Sequence, residues 1–245
     1  NPDTDSICSA ICYAGFKHQL TGENYEPCRA GNVNPETQYV LDYFKLKAPR
    51  LVENVKTQVK DIEIRKTKGV SRGISLKNAW GLMQENNVVT LPCVTEEGLL
   101  EGVITIGDIT KSYMNLYDSS IISKACTKYA NILDTLEGSM VVGDSEAYFD
   151  RGKVLIAAAN PDLMENYIEK HDLVILGNRY ESQLCAIEME AGCIIVCEGA
   201  GVSLTIRKLA QERGCAVITT PYDTYTTARL INQSMPISYF MTKEN

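Results

Sequence analysis

Two carboxylates stand one residue apart at the amino end, in Asn1-Pro2-Asp3-Thr4-Asp5-Ser6. Asp3 and Asp5 can share one cation if a turn aims them together. Hard divalent ions such as Mg²⁺ and Mn²⁺ favour carboxylate oxygens, and Mn²⁺ also takes imidazole. The same pair serves equally as a helix cap at the positive end of the dipole. A second cluster is Gly102-Val103-Ile104-Thr105-Ile106-Gly107-Asp108-Ile109, in which Thr105 or Asp108 can cap the helix that follows. Gly199 and Gly201 follow an apolar run, but without a third spaced glycine they read as a tight turn rather than a phosphate loop. Tyr222, Asp223, Tyr225 and Arg229 at the start of a helix form either a cap or an interface patch. The nine cysteines contain no C-x-x-C pair and lie scattered within apolar runs, which fits reduced thiols used as small hydrophobes. His18 stands at a helix end and His171 in a loop, neither in a ligand-like cluster.

The elements that must position these residues fall into three styles. In residues 1–60, Ile7, Ile11 and Ala14 keep helical spacing, and Asn34-Pro35-Glu36 supplies an N-cap followed by proline at N1, with Pro49 breaking that second helix. In residues 61–118, Ser75 caps a helix carrying Leu76, Ala79, Trp80 and Met83; the run Val88–Val94, a Glu97-Gly98 turn, Leu99–Ile106 and a helix through Tyr113 follow. Pro92 marks the first of those runs as an edge strand. Residues 122–234 alternate strands (Val154–Ala158, Leu173–Leu176, Cys193–Cys197, Cys215–Thr219) with helices at 162–170, 180–191 and 203–213, and Gly192 and Gly214 read as helix C′ residues. Regular alternation of this kind calls for a parallel sheet covered by helices. A last helix runs from Asp223 to Gln233, ahead of Met235-Pro236 and a final stub.

The opening run through Ala14, together with residues 28–53, resembles the N-terminal part of family II inorganic pyrophosphatases, of the DHH phosphoesterase superfamily. Pro2-Asp3-x-Asp5-Ser6 matches that family's motif, a histidine followed by x-x-P-D-x-D-S. The resemblance implies that Asp3 and Asp5 bind Mn²⁺ or Co²⁺ in a multinuclear cluster, with Mg²⁺ accompanying the substrate. The motif histidine would precede Asn1, and the DHH box, a further metal-binding aspartate and a C-terminal phosphate-gripping domain are not in the sequence. The chain is therefore read as an internal piece of a longer protein and expected to be inactive alone, since two aspartates are too few ligands for the cluster. Residues 61–118 resemble a CBS domain through the motif G-h-h-[ST]-x-x-D at Gly102–Asp108. That likeness implies that Thr105 faces a nucleotide phosphate and Asp108 accepts ribose hydroxyls. A helix N-terminus attracts anions, and a carboxylate suits a pair of vicinal hydroxyls. Lys68-Gly69-Val70 and Val89-Thr90-Leu91 would line the adenine side. Pro236-Ile237-Ser238-Tyr239-Phe240-Met241-Thr242 resembles the opening of a second CBS domain, and Tyr239 is either a stacking platform for adenine or a core aromatic. Residues 122–234 resemble the DRTGG domain through 197–201 and 219–229, although the pentapeptide itself does not occur.

The expected fold class is α/β, made of a partial DHH-type catalytic segment (1–60), a CBS α/β domain (61–118), a parallel α/β DRTGG domain (122–234) and the start of a second CBS domain (235–245). The expected function is metal-dependent hydrolysis of inorganic diphosphate, regulated by AMP, ADP or a diadenosine polyphosphate at the CBS domains. Such hydrolysis needs a metal-activated water and a charge-neutralised leaving phosphate. The alternatives are a non-enzymatic adenine-nucleotide sensor, or another DHH phosphoesterase acting on short oligonucleotides or polyphosphate. A homodimer through the CBS domains is implied by the resemblance. Composition narrows the field independently: 245 residues suggest one to three domains, and 44% hydrophobic with 22% charged residues is ordinary for a globular chain. With 24 basic against 31 acidic residues the net charge is −7 and there is no basic block, which disfavours nucleic acid and anionic lipid as partners. No run of 18 apolar residues and no basic-then-apolar leader occur, so a cytoplasmic protein without a membrane span is expected.

Overall fold

The computed structural model describes residues 2–54, 56–64, 67–114 and 118–241; Asn1 and Thr242 of the motifs above lie outside the described residues. The chain divides into two compact units, Asn1–Arg65 and Lys66–Asn245.

In the first unit, α1 (Thr4–Thr21) is capped by Asp3 and ends at Gly22, whose φ of 75° lets its N–H reach the carbonyl of His18. Helix α2 (Pro35–Tyr43) starts as its sequence dictates, with the Asn34 side chain accepting from the Thr37 N–H at 2.7 Å. It stops earlier than Pro49 requires, because Lys45 turns left-handed at φ 53°. Two short parallel strands, β1 (Cys28–Arg29) and β2 (Arg50–Leu51), pair on either side of α2, and Arg29 Nε donates to the Pro49 carbonyl at 2.9 Å. Ile7, Leu41 and Pro49 are buried in this unit, and the Thr4 and Thr37 hydroxyls meet at 2.9 Å.

The second unit opens with the anticipated helix–strand–strand–helix: α3 (Leu76–Glu85), β3 (Thr90–Val94), β4 (Leu100–Thr105) and α4 (Ile106–Met114). Ser75 caps α3 through the Asn78 N–H. Pro92 is tolerated because the side of β3 away from β4 meets only a bridge at Val70, where the Pro92 carbonyl accepts from Val70 N and no proline N–H is required.

Next come α5 (Ile121–Lys124), β5 (Thr127–Lys128), α6 (Tyr129–Thr135), β6 (Ser139–Val142), β7 (Tyr148–Phe149), β8 (Val154–Ile156), α7 (Pro161–Met164), β9 (Leu173–Leu176), α8 (Tyr180–Glu188), β10 (Cys193–Val196), α9 (Leu204–Arg213), β11 (Ala216–Thr219) and α10 (Thr224–Leu230). The sheet order is β6-β11-β10-β9-β8; β8 to β11 are parallel as alternation demands, and β6 adds an antiparallel edge that the sequence did not announce. The helices expected at 162–170 and 180–191 are shorter, and the one expected to run to Gln233 tightens into a 3₁₀ turn at Ile231–Ser234. Gly192 is not a C′ residue. The left-handed position after α8 is Glu190, and a Cβ on Gly192 would lie 2.8 Å from the His171 carbonyl oxygen, so close backbone approach is what demands glycine there. Gly214, at φ 69°, does terminate α9.

Strand periodicity divides the sheet between two cores. Val174, Leu176, Ile194, Val196 and Val217 face one cluster with α7, α8 and α9. Leu173, Ile175, Cys193, Ile195, Cys197 and Ile218 face the other, which continues without interruption through Ile132 and Ile231 to Leu76, Met83, Leu91 and Ile104 of the helix–strand–strand–helix segment. Each fully buried Ile or Leu in that continuum contributes about 1.5–3 kcal/mol, so the two segments are joined by a common apolar interior. Polar contacts reinforce the joint. Lys77 Nζ donates to the Asp134 and Thr135 carbonyls at the C-terminal end of α6, and Asn131 Nδ2 donates to the Gly73 carbonyl. The chain then returns: Met235–Ser238 runs beside Arg72–Leu76 through Leu76 N to Met235 O, Ile237 N to Ile74 O and Ser238 N to Arg72 O.

Candidate functional site

The end of β4 places Thr105 as the residue before α4, with Asp108 three positions on. Thr105 donates to Asp108 Oδ2 twice, from its backbone N–H at 2.9 Å and its hydroxyl at 2.7 Å, and the Asp108 N–H returns a bond to Thr105 Oγ1 at 3.2 Å. This is a reciprocal capping box. Both donations fall on Oδ2, and among the described residues none reaches Oδ1. The two roles weighed for Asp108 are therefore compatible: one oxygen holds the helix start, and the other is free to accept from a ligand. Both side chains are half-buried.

Register brings Val89 and Thr90 to this point, while Val70 lies opposite Cys93, farther along the strand pair. Thr90 pairs directly with Thr105, and the Val89 carbonyl accepts from Ile106 N. Val70 is bridged to Cys93, and Gly69 packs so tightly on Val94 that a Cβ would fall 2.5 Å from its Cγ2. Tyr239 closes a 3₁₀ turn on the returning segment, 45% exposed, with its ring edge-on to Phe240 at 4.9 Å. Its neighbours Ile237 and Ser238 are bonded to Ile74 and Arg72. No hydrogen bond among the described residues links Tyr239 to Thr105 or Asp108.

Asp3 caps α1: its Oδ1 accepts from Ser6 N at 2.9 Å and Ser6 Oγ at 2.6 Å, and these bonds hold its carboxyl below the usual range. Asp5 lies exposed in the first turn of the same helix. Their oxygens suit a hard divalent ion, but among the described residues no third His, Cys, Asp or Glu joins them. In the sheet segment, the Gly199 N–H is committed to the Thr220 carbonyl and Glu198 N–H to Tyr222 O, so these glycines build a turn. Asp223 caps α10 through Tyr225 N and Thr226 N, and Arg229 lies over the Tyr225 ring at 5.7 Å. The helix face of Leu76, Trp80, Ile106, Ile109 and Tyr113 lines a cavity of about 420 Å³ that sequence reasoning did not single out, although Trp80 stood in the helical stripe. Burial pushes the Tyr113 phenol upward.

A CBS domain matches residues 59–115 and a DRTGG domain matches residues 131–234. The chain is 40% identical over its full length to a cobalt-dependent inorganic pyrophosphatase of Clostridium perfringens, covering 45% of it. It is 30% identical over its full length to a probable manganese-dependent inorganic pyrophosphatase of Thermotoga maritima, covering 44% of it. It thus spans about half the length of the curated relatives it matches. A crystal structure of the CBS and DRTGG domains of the regulatory region of C. perfringens pyrophosphatase, complexed with the activator diadenosine tetraphosphate, superposes with a TM-score of 0.72 at 37% identity, covering 78% of this chain and 83% of that one. Fold and half-site together define a CBS–DRTGG regulatory region. The chain belongs to the inorganic pyrophosphatase family that carries this region.

Proposed function

We propose that this chain contributes the nucleotide-responsive region, and two metal-binding aspartates, to a Mn²⁺- or Co²⁺-dependent enzyme that hydrolyses inorganic diphosphate. The observation that carries the reading is the 40% identity along the whole chain to a cobalt-dependent pyrophosphatase, which includes the segment around Asp3 and Asp5. In the whole protein those carboxylates would ligate the ions, which when bound supply an activated water and neutralise phosphate charge. Mg²⁺ would accompany the diphosphate. The four-part division at 1–60, 61–118, 122–234 and 235–245 is kept in this reading.

Adenine nucleotides would bind with phosphate near Thr105, ribose on Asp108 Oδ1, and adenine between Gly69–Val70 and Tyr239. The solved relative's complex with diadenosine tetraphosphate supports this ligand class. AMP or ADP would favour a less active state and the diadenosine compound a more active one. Such opposite effects require each ligand to prefer a different state, because equal affinity for both shifts nothing. Two CBS regions would pair in a homodimer through the apolar α3–α4 face around Trp80, in the cytoplasm; among the described residues no helix is long and apolar enough to cross a membrane. The test is calorimetric titration of AMP and diadenosine tetraphosphate into the whole protein, with diphosphate hydrolysis in Mn²⁺ followed in parallel. Saturable binding that changes the rate supports the proposal, and an active enzyme indifferent to both ligands overturns it. Asp3→Ala and Asp5→Ala should each lower metal content.

A further inference from the structure

The turn that follows Val70, Ser71–Ile74, is where separate parts of the second unit meet. Ser71 closes it, its carbonyl accepting from Ile74 N and its hydroxyl from Gly73 N. The Arg72 guanidinium pairs at 3.4 Å with Glu101, on the strand that ends at Thr105. The Arg72 and Ile74 carbonyls accept from Ser238 N and Ile237 N, directly ahead of Tyr239. The remaining carbonyl of the turn, that of Gly73, accepts from Asn131 Nδ2 at 3.0 Å. Asn131 is half-buried on α6, outside the helix–strand–strand–helix segment.

Helix α6 is itself fixed to the sheet. Ile132 and Leu136 are fully buried on it. Thr220, just past β11, donates from its buried hydroxyl to the Leu136 carbonyl at 2.6 Å, and the Tyr222 hydroxyl donates to Glu137 at 2.7 Å. At the other end of the helix, Tyr129 N and Ala130 N donate to the Ala147 and Ser145 carbonyls. A helix anchored at both ends moves with its sheet. Asn131 therefore passes the position of the sheet to a turn whose other outside bonds run to β4 and to the returning segment. Lys77 also bonds α6, at the Asp134 and Thr135 carbonyls, but it does so from beyond the Ser75 cap, and neither bond involves Ser71–Ile74.

We propose that Asn131 is a positioning residue for nucleotide binding: its amide sets the Ser71–Ile74 turn, and through it Val70 and the Tyr239 segment, so that the DRTGG sheet and the bound nucleotide bias one another. This rests on the nucleotide reading above. Linkage is reciprocal, so the coupling must be visible from both ends. Asn131→Asp keeps the size of the side chain and removes its donors. In the whole protein, calorimetry should show AMP and diadenosine tetraphosphate each bound about two- to tenfold more weakly by this variant, the span of one hydrogen bond's net contribution. Lys77→Met, which loses a comparable bond to α6, should also be less stable, yet bind both ligands as the wild type does. From the other end, saturating nucleotide should slow hydrogen exchange at the α6 amides of the wild type and leave those of Asn131→Asp unchanged. Wild-type affinity in Asn131→Asp, an equal loss of affinity in Lys77→Met, or α6 amides indifferent to nucleotide in the wild type would each overturn the proposal while leaving the nucleotide reading intact. A wild-type enzyme that hydrolyses diphosphate but binds neither nucleotide overturns that reading, and this proposal with it.

Discussion

Asp108→Ala separates the two duties that geometry assigns to one carboxylate. The substitution deletes both bonds accepted by Oδ2, from the Thr105 N–H at 2.9 Å and its hydroxyl at 2.7 Å, and leaves that half-buried N–H without its partner. Cap removals cost about 0.5–2 kcal/mol, and a charged acceptor places this one in the upper half of that range, about 1–2 kcal/mol. For a unit of this size, each kcal/mol lowers the melting midpoint by about 2–4 °C. The expected fall is therefore about 2–8 °C by calorimetry. AMP affinity should drop at least about tenfold, the value of a charge-assisted bond to ribose. Asp108→Asn keeps an oxygen for the Thr105 N–H, so it should recover most of the thermal loss while still binding AMP weakly, because a neutral amide is the poorer acceptor. If Asp108→Ala melts with the wild type and binds AMP unchanged, the shared-carboxylate reasoning fails. If only the melting changes, the cap is real and the ribose contact is misassigned.

Gly192→Ala should destabilise by about 1–3 kcal/mol, since its Cβ would stand 2.8 Å from a backbone carbonyl, whereas Gly177→Ala, with open space around it, should be neutral or slightly stabilising; denaturant midpoints compare the two. Lys77→Met should cost about 1 kcal/mol by removing the donor that serves the α6 carbonyls, read as a lower urea midpoint. Cys12 and Cys126 should react with a thiol reagent in the native protein, while Cys193, Cys197 and Cys215 should wait for unfolding. Asp118 is held down to about 2 by hydrogen bonds from Lys124 and Ser120. A lowered folded pKa contributes stability above the unfolded value near 3.8 and loses it as pH falls towards 2. That small contribution, discounted because the pair is solvent-exposed, should shrink on the acid limb of a pH–stability curve in Lys124→Met, the part owed to the Ser120 hydrogen bonds remaining.

Much of this fold was legible because its signals are local. Ser75, Asn34 and Asp223 cap the helices that their side chains suggest, and the apolar runs at 173–176 and 193–196 are strands. What escaped depends on tertiary partners. Ser139–Val142 is too short to show a period and becomes a strand only because β11 offers an antiparallel edge. Gly192 carried the composition of a helix terminator, but its reason lies in the carbonyl of His171, in a neighbouring connection. At the site, the resemblance to the CBS motif put Thr105 and Asp108 together. It could not show that a single carboxylate oxygen takes both Thr105 bonds.

The returning segment has a consequence for how the molecule could be altered. Because Met235–Ser238 is stitched to Arg72–Leu76, everything from α3 to α10 leaves and re-enters the chain through one doorway. Lengthening or trimming loops within that inset should leave the doorway's own geometry intact. Twisting the inset as a whole, however, would tug on the threshold where Ile237 and Ser238 are bonded to Ile74 and Arg72, so a message sent from the sheet has that threshold as a second route beside the shared apolar interior.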